Sequence, residues 1–250
     1  MKIADDSPKT IDKDDDDLPL APPSKKSDRH KKVVVADGPK IIMDMSWGNL
    51  MDEHLQKKVI QQSSYAYSIN KKAEKSLPLI FTSVDLNWRQ LLHRVNAFQW
   101  NKNMVRFEKE SFVNIEDIPL SDVVYLTADT ENVCTFLDPK KYYVIGCLLD
   151  HNSKKGVTHD FAVQHNIRME RLPIPEYIKM EGRHVLTINH VAEILVRVGN
   201  GEDWGDAFVN TIPARKNPTK INQNVRKIEN PKEKSEKKEE EKLGFWCNIA

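Results

Sequence analysis

A mixed α/β domain on a mostly parallel sheet is the fold class this sequence predicts. Two observations carry that prediction. Short apolar runs at residues 41–46, 77–83, 123–126 and 142–149 alternate with stretches whose apolar residues recur at helical spacing. Strands that alternate with helices form parallel sheets covered on both faces. Several of these runs also end abruptly in small or polar residues, and in open α/β sheets ligands gather outside the carboxyl ends of the strands.

The elements follow in order. Residues 1–39 are polar and charged, with an acidic run at 14–17 and a basic cluster at 25–32, and are expected to be a disordered extension. The apolar run at 41–46 predicts the first strand. Leu50, Met51, Leu55, Val59 and Ile60 predict an amphipathic helix over 49–75. Residues 77–83 predict a second strand, with Pro78 at its start, where proline is tolerated. Leu86, Leu91, Leu92 and Val95 predict another helix. Residues 99–112 show no clear period.

Residues 123–126 predict the third strand. Asp129, Thr130 or Glu131 is then expected to cap a helix running to Leu137. A fourth run starts at Tyr142, passes Gly146, continues through Cys147, Leu148 and Leu149, and stops at Asp150. After a turn-like stretch, Phe161 to Val163 reads as a short helix and 167–172 as a strand. Residues 185–188 read as the last strand. A helix from Asn189 carries Val191, Ile194, Leu195 and Val198 on one face and stops at Gly199 and Gly201. Trp204, Ala207 and Phe208 mark a final short helix. Residues 217–250 are rich in Lys and Glu and are expected to be a disordered tail, which leaves one domain over 40–216.

Composition narrows the function. The formal net charge is +1, so overall charge does not announce a nucleic-acid binder. The cysteines at 134, 147 and 247 have no CxxC spacing, which disfavours a zinc site or a disulfide framework and fits a reducing compartment. No run is long enough to span a membrane, and the N-terminal residues do not look like a secretory or mitochondrial leader. The expected location is therefore the cytosol, the nucleus or both. GxGxxG after a strand, GxxxxGK[ST], HExxH and GxSxG are all absent. His151 and His159 make no metal set, so no metal is expected. Asp150, a carboxylate at the end of an apolar run, is the strongest single candidate for chemistry, although an Asp there also caps turns. Lys154, Lys155, Arg168, Arg171, Lys179 and Arg183 flank the same region as a possible phosphate-binding rim or as solvated charge.

Taken together, several runs resemble the tRNA (guanine-9-N1-)methyltransferase family of the SPOUT class. They are VYLT at 124–127, YVIG at 143–146, LDHN at 149–152, KG at 155–156, RLPI at 171–174, VLTINHV at 185–191, DW at 203–204, AF at 207–208 and PARK at 213–216. MDMS at 43–46 and FTS at 81–83 are similar to the family's first strands. The resemblance covers about residues 40–216.

The resemblance implies a SPOUT-type domain whose C-terminal part is threaded into a trefoil knot, an exception to unknotted topology. It implies S-adenosylmethionine held by backbone groups of three loops. Those loops carry over to Leu126 and Thr127; to Gly146, Cys147, Asp150, His151, Asn152, Lys154, Gly156 and Thr158; and to Leu172, His184, Val185 and Leu186. The implied reaction is methyl transfer to N1 of the purine, most simply guanine, at position 9 of tRNA. Asp150 matches the family's proposed catalytic aspartate. Lys154, Lys155, Arg215 and Lys216 are the expected tRNA contacts, and the enzyme is expected to be a monomer. The chain departs from the family's pattern at Cys147, where a second glycine is usual, and in its short N-terminal basic segment. The alternative reading is a non-catalytic tRNA- or RNA-binding relative with an impaired donor site.

Overall fold

The computed structural model describes residues 34–149, 156–182 and 185–221. Strand β1 (Lys40–Asp44) is buried from Ile41 onward, as a strand covered on both faces must be. A 3-10 turn at Gly48–Leu50 leads to α1 (Glu53–Lys72), whose N-cap Asp52 accepts a hydrogen bond from the Leu55 N–H at 2.8 Å. The helix thus starts four residues later than its apolar period suggested. At its other end, buried Asn70 grips both backbone groups of Leu77: its Nδ2 donates to the carbonyl at 2.7 Å and its Oδ1 accepts from the N–H at 2.8 Å. That clamp sets the entry to β2 (Leu79–Thr82), which is buried throughout.

Helix α2 (Leu86–Arg94) is capped by Asp85 and turns Trp88, Leu91 and Leu92 inward. The aperiodic stretch that follows holds β3 (Val105–Phe107), on which Phe81, Phe98 and Trp100 pack. Strand β4 (Val123–Leu126) has the predicted limits. Then come β5 (Tyr142–Gly146), α3 (Val157–Gln164), β6 (Arg168–Glu170), α4 (Ile174–Tyr177), β7 (Ile178–Lys179), α5 (Ile188–Gly199), α6 (Trp204–Thr211) and β8 (Thr219–Lys220). Six strands form one sheet in the order β3-β2-β1-β5-β4-β6, with every pair parallel. The expected α/β class with a parallel sheet is what the structure shows. β7 and β8 make a separate antiparallel pair. Helix α5 packs on α1 and α6, joining the two ends of the domain.

Three expectations are corrected. No helix follows β4. Residues 127–141 run irregularly along the sheet edge instead, because their backbone finds partners there: Arg171 N–H donates to the Asn132 carbonyl and Cys134 N–H to the Arg171 carbonyl, both at 2.8 Å. Thr127, Thr130, Val133 and Thr135 are β-branched and resist helix formation. The fourth run stops being a strand at Gly146, since its partner β1 ends opposite, at Asp44. Residues 185–187 are not a strand. They lead as an extended segment into α5, which begins at Ile188 rather than Asn189. Packed chain also reaches beyond 40–216 at both ends: Val35 bridges to Ser76, and β8 lies past Lys216. Nearly all of the expected tails at 1–39 and 217–250 lie outside the described residues.

Candidate donor pocket at the carboxyl edge of β4 and β5

A cavity of about 630 Å³ opens where β4 and β5 end. Its wall comes from three stretches. The segment leaving β4 gives Leu126, Thr127, Ala128 and Asp129, and the one leaving β5 gives Ile145, Gly146, Leu148 and Leu149, with Gly156 and Thr158 beyond. The third wall is Arg171, Leu172, Ile174 and Pro175 with Val185, Leu186, Ile188 and Val191. Eight predicted donor-binding residues therefore meet in one cavity: Leu126, Thr127, Gly146, Gly156, Thr158, Leu172, Val185 and Leu186. Asp150, His151, Asn152, Lys154, Lys155 and His184 lie outside the described residues.

Cys147 does not line the cavity. It is fully buried, its N–H donates to the Asp44 carbonyl at 2.9 Å, and its thiol lies 3.8 Å from the Ile145 carbonyl. Burial pushes that thiol far above its ordinary pKa. The residue that departs from the family pattern thus faces the core instead of crowding the cavity.

The volume falls within the range of small-molecule sites, and the wall is mostly aliphatic and backbone with a few polar groups, as such sites are built. Asp129 and Arg171 contribute one charge of each sign. Arg171 is fixed by a two-point ion pair with Glu176, at 2.6 and 3.0 Å, which raises its pKa further. These residues fit a ligand that carries an apolar ring, hydroxyls and both charges. Among the described residues, no group of three His, Cys, Asp or Glu side chains is arranged to hold a metal.

Gly146 is where the cavity meets a buried polar network. A Cβ there would lie 2.9 Å from the Tyr125 hydroxyl and 3.2 Å from Thr158 Cγ2. The Tyr125 hydroxyl donates to Asp44 Oδ2 at 3.0 Å and accepts from Trp47 Nε1 at 3.2 Å. Asp44 Oδ1 accepts from the Ser46 N–H and hydroxyl, and Ser46 Oγ lies 2.8 Å from Ser83 Oγ. Burial raises the Asp44 pKa against the opposing pull of those donors. Sequence reasoning missed this network. The one signal is that Asp44 interrupts the apolar run read at 41–46, and a carboxylate inside such a run needs partners when buried.

Arg215 and Lys216 lie in a 3-10 turn, Ala214–Lys216. Burial and then their positive charges depress the pKa of His190, which lies in the helix that contributes Ile188 and Val191 to the third wall. His190 Nδ1 is 2.8 Å from Thr187 Oγ1, on the segment that supplies Val185 and Leu186.

Residues 5–217 match the protein-family model of tRNA (guanine(9)-N(1))-methyltransferase TRM10/TRM10A. The chain belongs to this family. The tRNA (guanine(9)-N1)-methyltransferase of Kluyveromyces lactis is 34% identical over 179 residues, 72% of this chain and 59% of that protein. Homo sapiens tRNA methyltransferase 10 homolog A is 33% identical over 199 residues, covering 75% of this chain and 55% of its own length. The chain thus spans less than two thirds of either TRM10 relative. The crystal structure of full-length spTrm10 in its SAH complex superposes with a TM-score of 0.65 at 30% identity, covering 74% of this chain and 100% of that one.

Proposed function

We propose that this TRM10-family chain transfers a methyl group from S-adenosylmethionine to N1 of guanine at position 9 of tRNA. The observation that carries this reading is the meeting of eight donor-loop residues in a single 630 Å³ cavity at the carboxyl edge of the sheet. Family membership and the likeness to the SAH complex of spTrm10 support it. When bound, S-adenosylmethionine supplies an electrophilic methyl group on a sulfonium. The aliphatic walls from Leu126, Leu172, Val185 and Leu186 would hold its apolar parts and exclude water.

Guanine N1 bears a proton at neutral pH. Bond formation from N1 to the methyl carbon, with cleavage of the sulfur–carbon bond, therefore requires that proton to leave. Asp150 is the proposed acceptor, a positioned carboxylate acting as general base. Lys154, Lys155, Arg215 and Lys216 are the proposed phosphate contacts that would hold the exposed base in place. The proposed catalytic domain is 40–216 together with the packed residues just outside it, Val35 and β8, with the knotted C-terminal threading of the SPOUT class, a monomeric state, and a cytosolic or nuclear location.

The test is to incubate the protein with S-adenosylmethionine and tRNA and to map methylated purines. N1-methylguanine at position 9 is the expected product. Asp150→Asn should slow the reaction by about 10²-fold or more, the usual share of a general base, with donor affinity retained. Equal rates for the variant and the parent would remove Asp150 from the chemistry. The non-catalytic alternative rested on Cys147 spoiling the donor site, and the burial of that side chain behind the wall speaks against it.

A further inference from the structure

We infer that Gln62, in the middle of α1, is a positioning residue for the third wall of the cavity, acting through the first N–H of α5. This rests on the reading of the cavity as the donor site. The wall segment at 185–187 has no strand to hold it and ends at Ile188, where α5 begins. The first backbone N–H groups of a helix have no partner within the helix; an N-cap side chain serves the second or third of them, and the first is left to find a partner elsewhere. Here the N-cap residue, Thr187, makes no side-chain cap. Its hydroxyl is committed to Asn189 Oδ1 and His190 Nδ1, each at 2.8 Å. The Ile188 N–H donates to Gln62 Oε1 at 3.0 Å, across 126 positions of sequence.

Both partners are nearly inaccessible, Gln62 at 3% and Ile188 at 4% exposure. Without Gln62 the N–H would be buried and unsatisfied, so the start of α5 would have to shift toward another acceptor or toward water. Ile188 itself lines the cavity, as do Val185 and Leu186 just before it. A displaced helix start therefore displaces the wall. Gln62 does not line the cavity, so its influence on a ligand has to pass through this bond.

The experiment compares Gln62→Met, which keeps the volume and removes the acceptor, with Gln62→Glu, which keeps an acceptor oxygen. A carboxylate is also compatible with the positive end of a helix. S-adenosylhomocysteine affinity is measured by calorimetry, tRNA affinity by filter binding, and kcat and donor KM by methylation. Gln62→Met should weaken S-adenosylhomocysteine binding about tenfold and raise donor KM in parallel, the cost of a wall that is no longer pre-organised. Its tRNA affinity should stay unchanged, and Gln62→Glu should restore most of the donor affinity. A purely structural role would lower the melting temperature of Gln62→Met and leave donor affinity at the parental value, which overturns the inference. Equal loss in both variants overturns it as well. Should Gln62→Met not remain folded, Gln62→Asn, too short to reach Ile188, takes its place with the same expectation. If the parent protein itself binds no S-adenosylhomocysteine, the donor-site reading falls and takes the inference with it. If the parent binds and the variants bind alike, only the inference falls.

Discussion

Replacing Gly146 by alanine tests how the cavity is joined to the core. The new Cβ would sit 2.9 Å from the Tyr125 hydroxyl and 3.2 Å from Thr158 Cγ2, so something has to move by a few tenths of an ångström. The tip of a tyrosine would ordinarily move easily. This one is held by Asp44 on one side and Trp47 on the other, at 3.0 and 3.2 Å, and is fully buried. Retreat stretches both bonds, while staying put overpacks the site. Overpacking a well-filled interior costs about 1–3 kcal/mol. For a domain of this size, 1 kcal/mol corresponds to roughly 2–4 °C in melting temperature.

The assay is thermal and urea unfolding, with Gly38→Ala as control, because a Cβ at Gly38 meets only Ala36, at 3.6 Å. Gly146→Ala should be clearly less stable than the control and should bind S-adenosylhomocysteine more weakly. The decisive variant is the double mutant with Tyr125→Phe, which removes the obstructing oxygen. Its loss should be smaller than the sum of the two single losses, because the substitutions share one contact. Additive losses, or a Gly146→Ala protein as stable as Gly38→Ala, would refute the proposed coupling of the network to the cavity.

Asn70→Ala leaves both backbone groups of Leu77 buried without partners, and at about 1–3 kcal/mol for each the loss should be visible as a marked fall in the urea midpoint. Burial, with Lys216 and Arg215 nearby, holds the His190 pKa below 6.5, so the unfolded chain takes up a proton more readily than the folded one. That contribution to stability is intact above pH 6.5 and is lost as pH falls from 6.5 toward the folded-state value. His190→Gln should therefore lose less stability than the parent between pH 7.5 and 5.5, as measured by urea unfolding at each pH. If Arg215 and Lys216 touch tRNA phosphates, replacing both with alanine should flatten the log–log salt dependence of tRNA binding by about 2, roughly one for each cation, and an unchanged slope would remove them from the interface.

The parts of the fold that were legible in the sequence are those whose reasons are local. β1, β2 and β4 read as continuous apolar runs because both faces of a parallel sheet are covered. Helix α5 was legible because its apolar face is strictly periodic and its stop is a glycine pair. The errors arose where backbone groups found distant partners. Nothing near Asp129 reveals that the segment after it, through Asn132 and Cys134, pairs with Arg171 along the sheet edge, so its capping residues predict a helix that does not form. Residues 185–188 look like a strand by composition, yet among the described residues no strand pairs with them, and their last N–H goes to Gln62. Two-residue strands such as β7 and β8 are too short to carry a period at all. The edge that carries the cavity is legible from where the apolar runs stop, but the individual donor residues of its loops come only from the family resemblance, since backbone capture leaves little trace in side-chain chemistry.

The same non-local bonds decide how rigid the cavity is. Each wall is tied to a part of the chain that does not touch the cavity. The β4 wall is held by the Thr127 N–H to the Glu170 carbonyl at 3.0 Å, the β5 wall by the Cys147 N–H to the Asp44 carbonyl at 2.9 Å, and the third wall by Gln62. Two of these anchors, Asp44 and Gln62, come from the first 62 residues, whereas the cavity wall is built entirely after residue 125. The N-terminal strand and helix thus act as a frame for a pocket formed by the C-terminal half. Changes in that frame should alter donor affinity before they abolish the fold, and changes of charge on the pocket's outer side should alter tRNA binding with donor affinity intact.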